Sequence, residues 1–272
     1  MTPFRRRLLA VLGAAALFAP AVRAADPAAD NERWQTIRQA LFADRKISED
    51  ARGVIELETP VRAADAAVVP IAIRTQFVQT PERYIRKVWL VIDKNPSPVG
   101  ATFSFTPDSG RAEIETRVRI EEYTNVRAVA EFNDGSLVMQ TRYVKASGGC
   151  SAPAGKDLAE ALANIGKMRL RVEGDAVAGK PALAQLMVSH PNVSGLAIDQ
   201  LTRLAPPPHF VRSIAVTYAG KPVLRADVDF TISENPVLRF WFMPRASGEL
   251  RATVVDSNEL KFESALAVQA KT

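Results

Sequence analysis

One residue in the chain has a side chain suited to covalent chemistry without a partner of its own kind. Cys150 is the sole cysteine, set in Lys145-Ala146-Ser147-Gly148-Gly149-Cys150-Ser151-Ala152-Pro153-Ala154-Gly155-Lys156. The thiolate is the nucleophile, and a thiol with an ordinary pKa of roughly 8.5 is only a few per cent ionised near neutral pH. Lys145 and Lys156 stand close enough in sequence to favour the charged form. Catalysis in place would also need a base and an oxyanion site. The two histidines of the chain sit in His190-Pro191, at a strand exit, and in Pro208-His209-Phe210, at a strand entry. Both contexts read as structural, so a Cys–His pair has little support.

Gly148 and Gly149 read instead as a flexible arm. From Val144 to Cys150 a fully extended chain reaches on the order of 20 Å. Glycine adds no bulk and passes close to other backbone. The pattern fits a thiol that is presented to partners; a cysteine in a plain linker is the bland alternative. Other chemistries lack a written signature. There is no G-x-G-x-x-G after a strand, no P-loop and no clustered set of metal ligands in the sequence. Glu121-Glu122 reads as surface charge, and no carboxylate pair stands out for glycoside hydrolysis.

Strands dominate the elements that must hold this stretch. Before it come β-type segments at Val54–Glu58, Val68–Val78, Ile85–Ile92, Ala101–Phe105, Arg111–Ile120, Val126–Phe132 and Leu137–Val144. In Arg111–Ile120 the period of two sends Ala112, Ile114, Thr116, Val118 and Ile120 to the core. It sends Arg111, Glu113, Glu115, Arg117 and Arg119 to water. Asn133-Asp134-Gly135 has the composition of a hairpin turn. A helix precedes the strands, with Asp30 or Asn31 as cap and Trp34, Ile37 and Leu41 on one face. After the cysteine, Asp157 is placed to cap a short helix carrying Leu158, Leu162 and Ile165. A second β series follows, at Met168–Val172, Pro181–Val188, Phe210–Tyr218, Val223–Phe230, Val237–Met243, Leu250–Val255 and Leu260–Val268. The expected fold is all-β: two immunoglobulin-like β-sandwich domains joined by a Gly/Ala-rich, cysteine-bearing loop. The expected boundaries are a signal peptide at 1–24, one sandwich at 30–146, the cysteine arm and linker at 147–166 and the second sandwich at 167–272.

Composition narrows the class. With 47% hydrophobic and 24% charged residues, the 272-residue chain has the balance of a packed protein. Arg5-Arg6-Arg7, an apolar run from Leu8 to Ala19 and Val22-Arg23-Ala24 have the order of a secretory signal, by the Sec or the twin-arginine route. Much of the formal charge of +5 lies in that segment. The remainder is close to neutral, which argues against nucleic acid as a partner. No run is long enough for a comfortable membrane span once the signal is removed. A periplasmic address makes an unpaired cysteine notable, because exported proteins usually use cysteines in pairs.

The residues resemble the SoxY and SoxZ subunits of the periplasmic sulfur-oxidation carrier. Tyr84–Pro98, ending in Asn95-Pro96-Ser97-Pro98, then Phe103-Ser104-Phe105, the Arg111–Arg119 segment, Val144-Lys145 and Gly148-Gly149-Cys150 resemble SoxY. His190-Pro191 with Ser194-Gly195, Pro208-His209-Phe210, Tyr218-Ala219-Gly220-Lys221, Asn235-Pro236, Gly248 and Asp256 resemble SoxZ. The resemblance implies a carrier rather than an enzyme, with Cys150 bearing sulfur (thiosulfate-type) intermediates, Gly148 and Gly149 as the arm, and no cofactor or metal of its own. It implies sulfur-oxidation enzymes and c-type cytochromes as partners. Two departures stand out: Ser151-Ala152 replaces the closing glycines of the SoxY arm, and the two subunits are fused. Fusion is similar to the SoxYZ-like carriers found with quinoprotein (PQQ) alcohol dehydrogenases. The alternative is therefore a non-covalent accessory module for such a dehydrogenase, with Cys150 not carrying thiosulfate.

Overall fold

A computed structural model describes residues 27–153, 158–198 and 203–272. The expected signal segment, Lys156 and the Asp157 cap lie outside the described residues. In chain order the elements are α1 (Pro27–Phe42), β1 (Ile47–Ser48), β2 (Ile55–Glu58), β3 (Val69–Thr75), β4 (Ile85–Ile92), β5 (Val99–Phe105), β6 (Ile114–Val118), β7 (Thr124–Phe132) and β8 (Leu137–Val144). Then come α2 (Leu158–Ala163), β9 (Met168–Glu173), β10 (Ala182–Val188), β11 (Val211–Tyr218), β12 (Lys221–Val228), β13 (Val237–Phe242), β14 (Gly248–Asp256) and β15 (Lys261–Val268). The all-β expectation holds. α1 begins at Pro27, so Asp30 and Asn31 lie inside it rather than capping it.

Both halves are sandwiches, and their sheets run on into each other. Among the described residues one sheet has nine strands in the order β1-β8-β7-β4-β5-β12-β11-β14-β15, and the other six in the order β2-β3-β6-β13-β10-β9. The halves meet where β5 pairs antiparallel with β12, from Phe105 opposite Leu224 to Ala101 opposite Val228. They meet again where β6 pairs with β13, at Glu115 opposite Arg239 and Ile114 opposite Phe240. One apolar core fills the space between the two layers from end to end. Its fully buried members, among them Leu57, Ile73, Leu90, Phe103, Ile114, Phe240 and Phe242, come from both halves. Each such side chain contributes about 1.5–3 kcal/mol by leaving water.

Local chemistry accounts for most elements. β7 is buried along nearly its whole length, and β4 over most of its C-terminal half, because they are covered twice. Val88, Leu90 and Ile92 face the main core, while Val91 and Val129 pack under α1 with Trp34, Ile37 and Phe42. At the β7–β8 hairpin, Gly135 takes φ 87°, and the Asp134 carboxylate accepts from Ser136 N at 2.8 Å and Ser136 Oγ at 2.7 Å.

β6 departs from its expected two-faced pattern. Glu113 and Arg119 were expected in water, yet they are 6% and 4% exposed. The alternation assigned their side of the chain correctly, but the second half covers that side at Glu113 and Arg119, while Arg117 between them stays exposed. Glu113 accepts from Trp241 Nε1 on β13 at 3.1 Å. Glu115 stays half-buried in an ion-pair row with Arg74 (2.6 Å) and Arg239, which also pairs with Glu173 at 2.6 Å.

Candidate functional site

The cysteine stretch leaves β8 and turns back along the chain that follows β6. Lys145 N donates to Val61 O at 2.9 Å, and Ala63 N donates to Lys145 O at 3.1 Å. Gly148 N then donates to Glu121 O at 2.8 Å, and Gly149 N to Ile120 O at 2.9 Å. Each glycine has its own reason to be glycine. Gly148 has φ 81°, a left-handed conformation that L side chains rarely adopt. At Gly149 a Cβ would stand 2.0 Å from Ala66 O, so no side chain fits there. The segment expected to be a flexible arm is, in this structure, docked by backbone hydrogen bonds.

Cys150 is completely buried. Its N–H donates to Glu121 Oε2 at 2.8 Å. Ser151 adds N–H to the same oxygen at 3.0 Å and its hydroxyl to Glu121 Oε1 at 2.8 Å. The second half closes the site: Ser194 Oγ donates to Cys150 O at 2.6 Å. Burial, then the Glu121 carboxylate, push the thiol up to about 12, with Asp229 adding to the rise and Arg119 opposing it. A thiol held there is protonated at neutral pH and is a poor nucleophile. Lys145 is not among the groups that act on it.

Two residues read as solvated charge in the sequence prove to be parts of this site. Glu121 clamps the cysteine turn. Arg119 is 4% exposed, and its Nη1 donates to Asn192 O (2.8 Å), Phe230 O (2.8 Å) and Ile232 O (3.1 Å). Among the described residues it has no ion pair. Burial lowers its pKa, while Cys150 and Glu234 counter that shift. Neither role leaves a local signature: a carboxylate clamp and a cross-domain guanidinium depend on residues 29 to 113 positions away in the chain.

Behind Ser194 the loop after β10 is locked. Asn192 is fully buried with φ 43°. Its amide nitrogen donates to Ile232 O at 3.0 Å and Ser233 O at 3.3 Å, and its Oδ1 accepts from Val211 N at 2.9 Å. His190 Nδ1 accepts from Asn192 N at 3.0 Å.

The two histidines, each read separately as structural, meet in space. Their rings lie edge to face with centroids 4.8 Å apart. With Asp256 they form a cluster whose potential ligand atoms all lie within 4.8 Å. The sequence, with its members 19 and 47 positions apart, had suggested no metal-ligand cluster. His209 Nε2 lies 2.7 Å from Asp256 Oδ2, and His190 Nε2 lies 3.5 Å from the same oxygen, too long for a full hydrogen bond. Asp256 Oδ1 accepts from Asn258 N and Leu260 N, each at 2.9 Å. Because His190 Nδ1 is an acceptor, its neutral ring carries the proton on Nε2, which leaves that atom no lone pair for a cation. The cluster thus reads as a hydrogen-bonded pin. Burial, then His209, lower the pKa of His190 to about 4. Neither histidine is among the groups acting on Cys150.

Comparisons with known proteins agree with this two-part architecture. Residues 38–150 match the family described as sulfur oxidation protein SoxY, and residues 168–267 match the family described as sulphur oxidation protein SoxZ. No curated protein matches the chain. Among solved structures, the sulfur carrier protein SoxY from Chlorobium limicola f thiosulfatophilum is 24% identical, covering 43% of this chain and 98% of that one, with a TM-score of 0.35. A superoxide reductase (neelaredoxin) from Ignicoccus hospitalis is 17% identical over 43% of this chain and 90% of that one, with a TM-score of 0.29. Fibronectin(III)-like modules of Clostridium thermocellum CbhA are 10% identical over 80% of this chain and 94% of that one, with a TM-score of 0.25. No helix among the described residues is long and apolar enough to cross a membrane.

Proposed function

Because this chain belongs to the SoxY and SoxZ families as a fusion of the two, with a carrier role in sulfur oxidation, we propose that it works in the periplasm and bears its cargo on Cys150. The observation that carries this reading is placement. The SoxY match runs to residue 150, and the cysteine there follows a glycine pair and is held by hydrogen bonds that can exchange. Cargo of the thiosulfate type would be joined oxidatively. The sulfane sulfur of thiosulfate bonds to Cys150 Sγ, the thiol proton is released, and two electrons pass to a partner enzyme with a c-type cytochrome. The product, an S-thiosulfonate, carries a negative charge. Partner enzymes process the adduct and return the free thiol, so the chain itself is a carrier and not a catalyst. Gly148 and Gly149 act as the arm when the docked turn is released.

Intact-mass and peptide analysis of protein purified from its native host tests this. The expected result is a small adduct on Cys150. Free thiol alone under every growth condition would end the proposal. The same peptides give the mature N-terminus, expected after Ala24 or Ala25.

The burial of the thiol favours a second reading, in which the chain is a non-covalent accessory to a periplasmic quinoprotein (PQQ) alcohol dehydrogenase. Under it, Cys150→Ser leaves partner binding and host growth unchanged. Under the carrier reading, Cys150→Ser behaves like deletion.

A further inference from the structure

We propose that the site around Cys150 reads charge: it closes over a neutral side chain and opens when Cys150 carries a negative group, with Glu121 as the positioning residue. The proposal uses the carrier reading only to say which natural adduct would trigger opening.

Space is the first argument. Cys150 has no exposed surface, and Gly149 beside it lies against Ala66 O with no room for one added carbon. A group attached to Sγ must therefore displace something.

Charge decides what is displaced. The Glu121 carboxylate is fixed at the cysteine turn by three hydrogen bonds, from Cys150 N, Ser151 N and Ser151 Oγ. It cannot swing away without giving up those bonds. Asp229 acts on the thiol in the same sense. Arg119 opposes them, but its Nη1 is committed to three carbonyls across the domain seam. A negative group on Cys150 thus faces the fixed Glu121 carboxylate, with one restrained arginine to oppose the repulsion. The weakest part of the site is the turn itself, which is held by Glu121, by Ser194 and by two backbone bonds. That turn releases while the locked Asn192 loop and the β6 extension stay in place.

Two isosteric adducts test the charge effect apart from size. Iodoacetate gives S-carboxymethyl Cys150, which is negative, and iodoacetamide gives S-carboxamidomethyl Cys150, which is neutral and has the same number of heavy atoms. Amide hydrogen exchange is followed at 148–151 in the full chain, with β4 and β7 amides as the internal control for folding. Exchange at 148–151 is expected to be at least tenfold faster in the carboxymethyl protein, and Glu121→Gln should narrow that gap. The genetic pair Cys150→Asp and Cys150→Asn, which needs no alkylation, should show the same order above pH 7. Equal exchange in both pairs would overturn the proposal. Slower exchange in the negative members would also overturn it, by showing that Arg119 holds an anion in the site. None of these outcomes depends on which cargo, if any, is found in the native host.

Discussion

The two halves treat their polar residues in opposite ways. In the first half the cysteine turn lies on the surface of its sandwich and is held by main-chain bonds and one carboxylate, Glu121. In the second half the loop that covers it is fixed by buried side chains: Asn192 makes three bonds, His190 and His209 converge on Asp256, and Asp256 also accepts two backbone N–H groups. The difference assigns the halves different work. A turn whose bonds can exchange with water can open at small cost. A network of buried polar groups, most of them hydrogen-bonded, resists rearrangement, because each broken bond leaves an unsatisfied partner. The first half thus supplies the moving part and the second half the fixed surface against which it closes.

The largest expected effect breaks the fixed side. Asp256→Ala removes the acceptor of His209 and of two backbone N–H groups at a fully buried position, together with the charge 3.5 Å from His190 Nε2. A loss of about 3 kcal/mol or more is expected, read from the urea midpoint. Cys150 alkylation should accelerate as well, since the Ser194 loop loses its anchor. Unchanged stability would mean that the pin is dispensable.

Acid probes the same pin more gently. His190 has its folded pKa lowered from 6.5 to about 4, mainly by burial and then by His209. The unfolded chain takes up that proton first, so stability is lost as pH falls from about 6.5 towards 4. Burial works against ionisation of Asp256, but His209 and the N–H groups of Leu260 and Asn258 hold its pKa below the ordinary value, so it keeps its charge through that window. His190→Gln should flatten the pH dependence of the urea midpoint over that range.

The smallest effect on global stability concerns the moving side. Gly149→Ala places a carbon against Ala66 O. The turn should lift while both sandwiches persist, with global stability changed by about 1 kcal/mol or less, because local opening leaves the main core untouched. Iodoacetamide should then label Cys150 at least tenfold faster. A global loss as large as that of Asp256→Ala would erase the contrast between the halves.

Much of the architecture was legible because it is local. Alternation and short apolar runs placed most strands within a few residues, and Ile85–Ile92 and Leu137–Val144 coincide with β4 and β8. β1, only two residues long, carries no periodicity to read. The seam was not legible. Nothing in Ala101–Phe105 or Val223–Phe230 says that these two strands pair, more than a hundred positions apart, because any half-buried edge offers the same unpaired N–H and C=O groups. The site divided in the same way. The lone Cys150 and the glycines before it stood out by type and spacing, whereas Glu121 and Arg119 looked like ordinary surface charge.

By itself, then, the sequence determined an all-β chain in two parts, a single thiol and a backbone around it that tolerates close approach. These follow from side-chain period, composition and the absence of Cβ at Gly148 and Gly149. Tertiary structure alone decided that the thiol is buried, that Glu121 holds its turn, that Arg119 spans the seam and that His190, His209 and Asp256 form one pin. The reason is physical: burial and Coulomb interaction depend on distance in space. The groups that set the state of Cys150 come from both halves and were brought together by the pairing of β5 with β12 and β6 with β13.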